Sequence, residues 1–158
     1  MTEANNSLGD LAILLVGEEL RPATGGSTFA KTDPATEVLL GEAADGTAQD
    51  MDDAIGAARR AFDETDWSTS HGFRAHCLRQ LADAFDSHAT EMRALTTAEV
   101  GAPEFLLDGP QYQAPVDGLR VSADLAENYD RWTEDLGESE FMGSVSHRWA
   151  LREAAGVV

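Results

Sequence analysis

Thr47-Ala48-Gln49-Asp50-Met51-Asp52-Asp53-Ala54-Ile55-Gly56-Ala57-Ala58-Arg59-Arg60-Ala61-Phe62 is the stretch on which the fold turns. The Thr47 hydroxyl can cap a free backbone N–H, and acidic residues in the turn that follows suit the positive end of a helix. Met51, Ile55, Ala58 and Phe62 recur at helical spacing, while Asp52, Asp53, Arg59 and Arg60 take much of the other side. The spacing predicts an amphipathic helix whose apolar stripe needs a cover.

On the amino-terminal side of this helix the chain reads as short strands joined by turns. Ala12 to Val16 is a compact apolar run closed by Gly17, and a second segment, Phe29 to Thr32, follows the turn-rich Ala23-Thr24-Gly25-Gly26-Ser27. A hairpin across that turn is expected. Asp33-Pro34-Ala35-Thr36 is a further turn, because Pro34 fixes its own φ and biases Asp33 toward extended geometry. Val38-Leu39-Leu40 then starts a third strand, with Gly41 and Gly46 bracketing its end.

On the carboxy-terminal side, Phe73, Cys77, Leu81, Phe85, Met92 and Leu95 form the stripe of one long helix stopped by Gly101 and Pro103. A third helix carries Val116, Leu119, Ala123, Ala126 and Tyr129 after the interruptions at Gly109-Pro110 and Pro115. Val145, His147, Trp149 and Leu151 alternate with Ser146, Arg148, Ala150 and Arg152, which is the period of a strand. Gly156-Val157-Val158 reads as the start of another buried strand. Three amphipathic helices thus face few and short strands, so the expectation is an α/β chain whose helices lean on a sheet supplied from elsewhere.

The 158 residues are 42% hydrophobic, enough for one domain that buries about 68–70% of its unfolded surface. Lys plus Arg total 11 against 29 Asp plus Glu, a net charge of −18 that repels phosphate backbones and excludes nucleic acid as a natural partner. No apolar run is long enough to span a bilayer, and the acidic, Asn-rich start lacks the basic region of a signal peptide. The expectation is a soluble, cytoplasmic protein without membrane contact. Lys31 is the sole lysine; a salt-adapted source and an arginine-biased high-GC genome explain this equally, and stability measured against KCl concentration separates them.

Chemistry-bearing residues are sparse. Cys77 is the one cysteine, so no internal disulfide can form, and it sits mid-helix on the apolar stripe, away from any helix N-terminus that would favour a thiolate. Packing is its expected role. His71, His76, His88 and His147 show no paired metal-ligand spacing, and His88 with Glu91 reads as a solvated helix face. Thr24-Gly25-Gly26-Ser27 lacks a phosphate-binding glycine pattern and reads as a hairpin turn. Asn5-Asn6-Ser7 matches a glycosylation acceptor but has no secretory signal beside it. Trp132, Phe141 and Trp149 flank the last strand and point to core or subunit contact.

The order of motifs resembles the amino-terminal part of the aldehyde dehydrogenase superfamily. The matching stretches are Leu14-Leu15-Val16-Gly17, Phe29 through Asp33-Pro34-Ala35-Thr36, Asp50-Met51-Asp52-Asp53-Ala54 and Ala57-Ala58-Arg59-Arg60-Ala61-Phe62. They continue through Trp67-Ser68, Leu78-Arg79-Gln80-Leu81-Ala82-Asp83, Thr97-Ala98-Glu99-Val100-Gly101-Ala102-Pro103 and Arg148-Trp149-Ala150-Leu151-Arg152-Glu153, then Gly156-Val157-Val158. Asp33 stands where the family usually has asparagine, Glu37 replaces a customary glycine, and Ala154-Ala155 replaces a common Pro-Val.

The resemblance implies oxidation of an aldehyde to a carboxylic acid with NAD or NADP, through a cysteine thiolate, a glutamate that activates water and an asparagine that holds the oxyanion. In the family all of these follow the Gly-Val-Val strand, so no catalytic or cofactor-binding residue falls within this chain. A monovalent cation site, implied for some members, would map to Thr32 and Glu99, with Lys31 beside it arguing against a cation. The implied organisation is residues 1–143 as the hairpin and helices of an incomplete cofactor domain, and residues 144–158 as the start of an oligomerisation arm that pairs with another chain.

Two expectations follow. The chain is an amino-terminal fragment of an aldehyde dehydrogenase, inactive and cofactor-free alone, whose partners are the rest of its subunit or homologous subunits in a homo-oligomer. The alternative is an acidic helical interaction module that docks onto full-length homologues.

Overall fold

A computed structural model describes residues 12–157. Asn5-Asn6-Ser7 and Val158 lie outside the described residues. In chain order the elements are β1 (Leu14–Val16), β2 (Glu19–Arg21), β3 (Thr28–Thr32), β4 (Leu39–Ala44), α1 (Ala48–Glu64), α2 (His71–Ser87), α3 (Ala89–Val100), α4 (Glu104–Leu107), α5 (Gln113–Asn128), β5 (Thr133–Phe141) and β6 (Ser144–Leu151). Among the described residues the strands form three antiparallel pairs, β1 with β2, β3 with β4 and β5 with β6.

Strand pairing is more local than the sequence suggests. The run ending at Val16 turns back at once through Gly17-Glu18, with Gly17 at φ +64, and pairs with Glu19–Arg21 rather than with Phe29–Thr32. Thr24–Ser27 therefore links two separate hairpins and is not a hairpin turn. Phe29–Thr32 pairs instead with β4 across the Asp33-Pro34-Ala35-Thr36 turn. There the Asp33 carboxylate accepts from Ala35 N at 2.7 Å and Thr36 N at 3.1 Å, and Glu37 takes the left-handed conformation at φ +59. Gly41 lies inside β4, opposite a bulge at Lys31/Thr32, and does not end the strand.

Three helices become five, because the long central helix breaks at His88 and the short α4 forms after Pro103. The Ser87 hydroxyl and His88 Nδ1 both reach the Ala84 carbonyl, at 2.9 Å each, and compete with the backbone for it. Neither glycine nor proline marks the break. Gly101 ends α3 as expected, at φ +70, packed so closely on Pro34 that a Cβ would come within 2.9 Å of its ring.

α2 and α5 pack on each other. Reciprocal bridges join them: Arg79 reaches Asp124 at 2.7 Å and Glu127 at 2.6 Å, and Arg120 reaches Asp83 at 3.1 Å and Asp86 at 2.5 Å. The core beneath is small, formed by Ala82, Ala102, Leu107, Tyr112 and Val116 with Phe85, Ala89, Met92 and Leu119 against it. The Tyr112 hydroxyl donates to Phe85 O at 2.7 Å, and burial raises its pKa above the ordinary phenol value.

Outside this core the apolar faces are bare. The α1 stripe predicted from the sequence forms, yet Met51 is 62% and Ile55 51% exposed; on α5, Val121 and Leu125 are 66% and 63% exposed. The chain presents 11308 Å² to solvent, against roughly 7,700 Å² for a compact monomer of its mass.

The carboxy-terminal strand differs from its expectation. β6 is not unpartnered: its whole length pairs with β5 of the same chain, through the two-residue turn Met142-Gly143 at φ +52 and +79. The expected division at residue 143 falls within this turn. Beyond β6, residues 153–157 carry no regular structure, so the described part of the expected Gly156-Val157-Val158 strand is not a strand.

Candidate functional site

The chemistry-bearing side chains are dispersed by the fold. Cys77 lies half-buried on α2. His88 closes α2, His71 opens it with its ring stacked on Trp132, and His147 meets Asp135 across the β5–β6 pair at 2.8 Å. Among the described residues no group of three or more histidine, cysteine, aspartate or glutamate side chains converges on a metal position. Thr24–Ser27 leads into β3 rather than into a helix, so no helix end and no row of N–H groups waits there for a phosphate.

Thr32 is exposed at the end of β3, and Glu99 is near the end of α3. Glu99 Oε1 accepts from Lys31 Nζ at 2.8 Å. The Glu99 carboxylate expected at a cation site is thus engaged by an ammonium.

The most heavily constrained polar group is one the sequence reading placed only as an early helical acid. Asp50 is 4% exposed, and its carboxylate accepts from Thr47 N and Thr47 Oγ1 at 2.8 Å each, and from Thr24 N at 3.0 Å and Thr24 Oγ1 at 2.8 Å. Arg21 stands 3.0 Å away. The Thr47 N–H, above all, holds this carboxyl far below the ordinary range, against the opposing effect of burial; the Thr24 hydroxyl and N–H and the Thr47 hydroxyl add to it. With Asp50 N bonded back to Thr47 Oγ1, this is a capping box that also draws in the loop after β2. The Thr47-x-x-Asp50 spacing was the available signal. Since every oxygen is satisfied, Asp50 is a structural tie and not a base.

A cleft of about 290 Å³ opens between α2, α3 and α5, lined by Leu81, Phe85, Met92, Val116 and Leu119 among others. It holds no charged group. On the β5–β6 hairpin Leu136, Phe141, Met142, Val145, Trp149 and Leu151 are all exposed. The strand β5 itself, Thr133-Glu134-Asp135-Leu136-Gly137-Glu138-Ser139-Glu140-Phe141, carries too many acids for its pattern to show. It forms because β6 supplies the ladder, with His147 2.8 Å from Asp135, and because Arg152, just after β6, places its guanidinium 2.9 Å from Glu134. No described helix is long and apolar enough to cross a membrane.

Comparison with known proteins agrees with this picture. The model of the aldehyde dehydrogenase family matches residues 21–158. The chain is 32% identical over 140 residues to aminoacetaldehyde dehydrogenase of Pseudomonas aeruginosa, covering 87% of this chain and 27% of that protein. It is 36% identical over 147 residues to the putative aldehyde dehydrogenase DhaS of Bacillus subtilis, covering 92% and 28%. Its fold matches the NAD+ complex of aldehyde dehydrogenase from Bacillus cereus with a TM-score of 0.78 at 27% identity, over 89% of this chain and 28% of that one. The chain thus spans little more than a quarter of the length of these relatives.

Proposed function

Because the chain belongs to the aldehyde dehydrogenase family, we propose that it serves as the amino-terminal portion of an NAD(P)-dependent aldehyde dehydrogenase subunit. In this reading it supplies outer helices and an arm, while the thiolate, the cofactor and the aldehyde are held by other polypeptide. The observation that supports it is the bareness of the apolar faces of α1 and α5 and of the β5–β6 hairpin, in a chain that spans little more than a quarter of its relatives. Each large apolar side chain left uncovered forgoes about 1.5–3 kcal/mol, which in sum rivals the stability of a whole domain.

The arm in this reading is the complete hairpin from Thr133 to Leu151, with the outer edges of both strands left for pairing with the rest of the subunit or a homologous one. At Glu99 the Lys31 ammonium supplies the positive charge that a monovalent cation would otherwise supply.

The test is steady-state NADH or NADPH formation from an aldehyde by the purified chain, alone and mixed with a polypeptide carrying the remaining part of a relative. No turnover alone, with turnover on mixing, is the expected result. Turnover by the chain alone overturns the reading. A sharp cooperative melt and a single monodisperse species, with no gain from the added polypeptide, would favour a free-standing acidic module that docks onto full-length homologues.

A further inference from the structure

The root of the β5–β6 hairpin is built around a histidine in a defined protonation state. His71 opens α2, and its ring stacks on Trp132, with centroids 3.8 Å apart and 11° between planes. Trp132 immediately precedes β5, and Tyr129, closing α5, meets its ring edge-on at 5.1 Å and 80°. Arg74, one turn along α2, donates to His71 Nδ1 from one guanidinium nitrogen and to Trp67 O at 2.6 Å from another. Its guanidinium lies 5.9 Å from the Trp132 ring centroid. Arginine only donates, so Nδ1 carries no proton and the imidazole of this arrangement is neutral, with its proton on Nε2. The hairpin's own root is tied off separately: Arg152 N donates to Trp132 O at 2.8 Å, Arg152 Nη1 to Arg131 O at 2.7 Å, and Arg152 Nη2 to Glu134 at 2.9 Å.

We propose that His71 is a proton-operated latch for the hairpin: neutral, it joins α2 to the root of the arm through Trp132; protonated, it lets that root go. A proton added at Nδ1 removes the acceptor that Arg74 uses and sets two donors face to face. It also places a positive charge against the Arg74 guanidinium and against the positive end of α2. The indole face attracts a cation, but Arg74 already stands over it, and the like charge at hydrogen-bond range is the nearer and stronger neighbour. The remaining groups at the root do not compensate. Tyr129 from α5 offers a phenol, and the Glu134 carboxylate of β5 is engaged by Arg152. Acidification then frees the hairpin to swing about the Asp130-Arg131 link.

The test places spin labels at Gln80→Cys on α2 and Glu140→Cys near the hairpin tip, in a Cys77→Ser background diluted with unlabelled chain so that only intramolecular distances are read. A narrow distance distribution at about pH 8 should widen at least about twofold at about pH 5.5 and narrow again on return. His71→Phe, which can stack but cannot take a proton, should stay narrow at both values, and Trp132→Ala should be wide at both. An unchanged width in the parent chain, or the same widening in His71→Phe, overturns the latch. Should His71→Phe lose its helical circular dichroism, nuclear Overhauser contacts between the His71 and Trp132 rings of the unsubstituted chain decide: they are expected at about pH 8 and lost at about pH 5.5, and their persistence overturns it.

Discussion

Truncating Leu107 and truncating Leu125 are chemically the same change, and the structure separates them sharply. Leu107 is 2% exposed, enclosed by Ala82, Ala102, Tyr112 and Val116 with Phe85, Ala89, Met92 and Leu119 around them. Leu→Ala at such a site costs about 2.7–5.0 kcal/mol, the larger values applying where the surroundings cannot close the cavity. Here two neighbours are alanines and Tyr112 is tethered by its bond to Phe85 O, so about 4 kcal/mol is expected. At roughly 2–4 °C per kcal/mol for a chain of this size, the midpoint falls by about 8–16 °C. Leu125 is 63% exposed on α5, and alanine is the better helix former, so Leu125→Ala should stay within about 0.5 kcal/mol of the parent. Thermal and urea unfolding followed by far-ultraviolet circular dichroism measure both. A Leu125→Ala cost above about 1.5 kcal/mol would refute the argument, since it would mean that the face is covered in this chain. In a polypeptide that restores the rest of a dehydrogenase subunit, the same Leu125→Ala substitution should cost about 2–5 kcal/mol.

Other substitutions probe the ties that hold the layers. Gly101→Ala forces a side chain into the left-handed region and onto the Pro34 ring; a loss of about 1–2 kcal/mol from the backbone, plus the cost of displacing Pro34, should appear in urea unfolding. Glu37→Gly relieves an exposed left-handed residue at φ +59 and should stabilise by up to about 1 kcal/mol, read as a higher urea midpoint with an unchanged slope. The Asp50 carboxyl is held far below its ordinary value, so its contribution is full above the unfolded-state pKa of about 4 and is lost as pH falls below that toward the lower folded value. Asp50→Asn should lower the midpoint at neutral pH and flatten the acid limb of stability against pH; an unaltered acid limb would contradict the assignment.

The features that could be read from the chain are those whose causes lie within a few residues. The α1 stripe, the Thr47 cap, the Asp33 turn and the Gly101 stop all depend on one helical turn or one tight turn, and all are found as expected. The misread features needed partners farther away. The hairpin of Ala12–Val16 with Phe29–Thr32 was excluded by the nearer pairing through Gly17-Glu18, which costs less chain entropy to close. β5 was invisible because its acids and Gly137 have no strand preference until β6 lies beside them. The break at His88 arises from two side chains competing for one carbonyl, with no glycine or proline to announce it.

For the candidate site the division is the same. What a nucleophile, a metal set or a phosphate loop requires can be compared with residue types and spacings alone, because each of those chemistries demands particular side chains at particular intervals. Only the tertiary structure decided that Asp50 is buried under five donor groups, that Lys31 takes Glu99, and that His71 lies flat on Trp132. Those contacts join residues 26, 68 and some sixty positions apart in the chain. Amphipathic periodicity says that a helix has a face to bury; which faces found a cover and which stayed bare depends on how the elements meet in space.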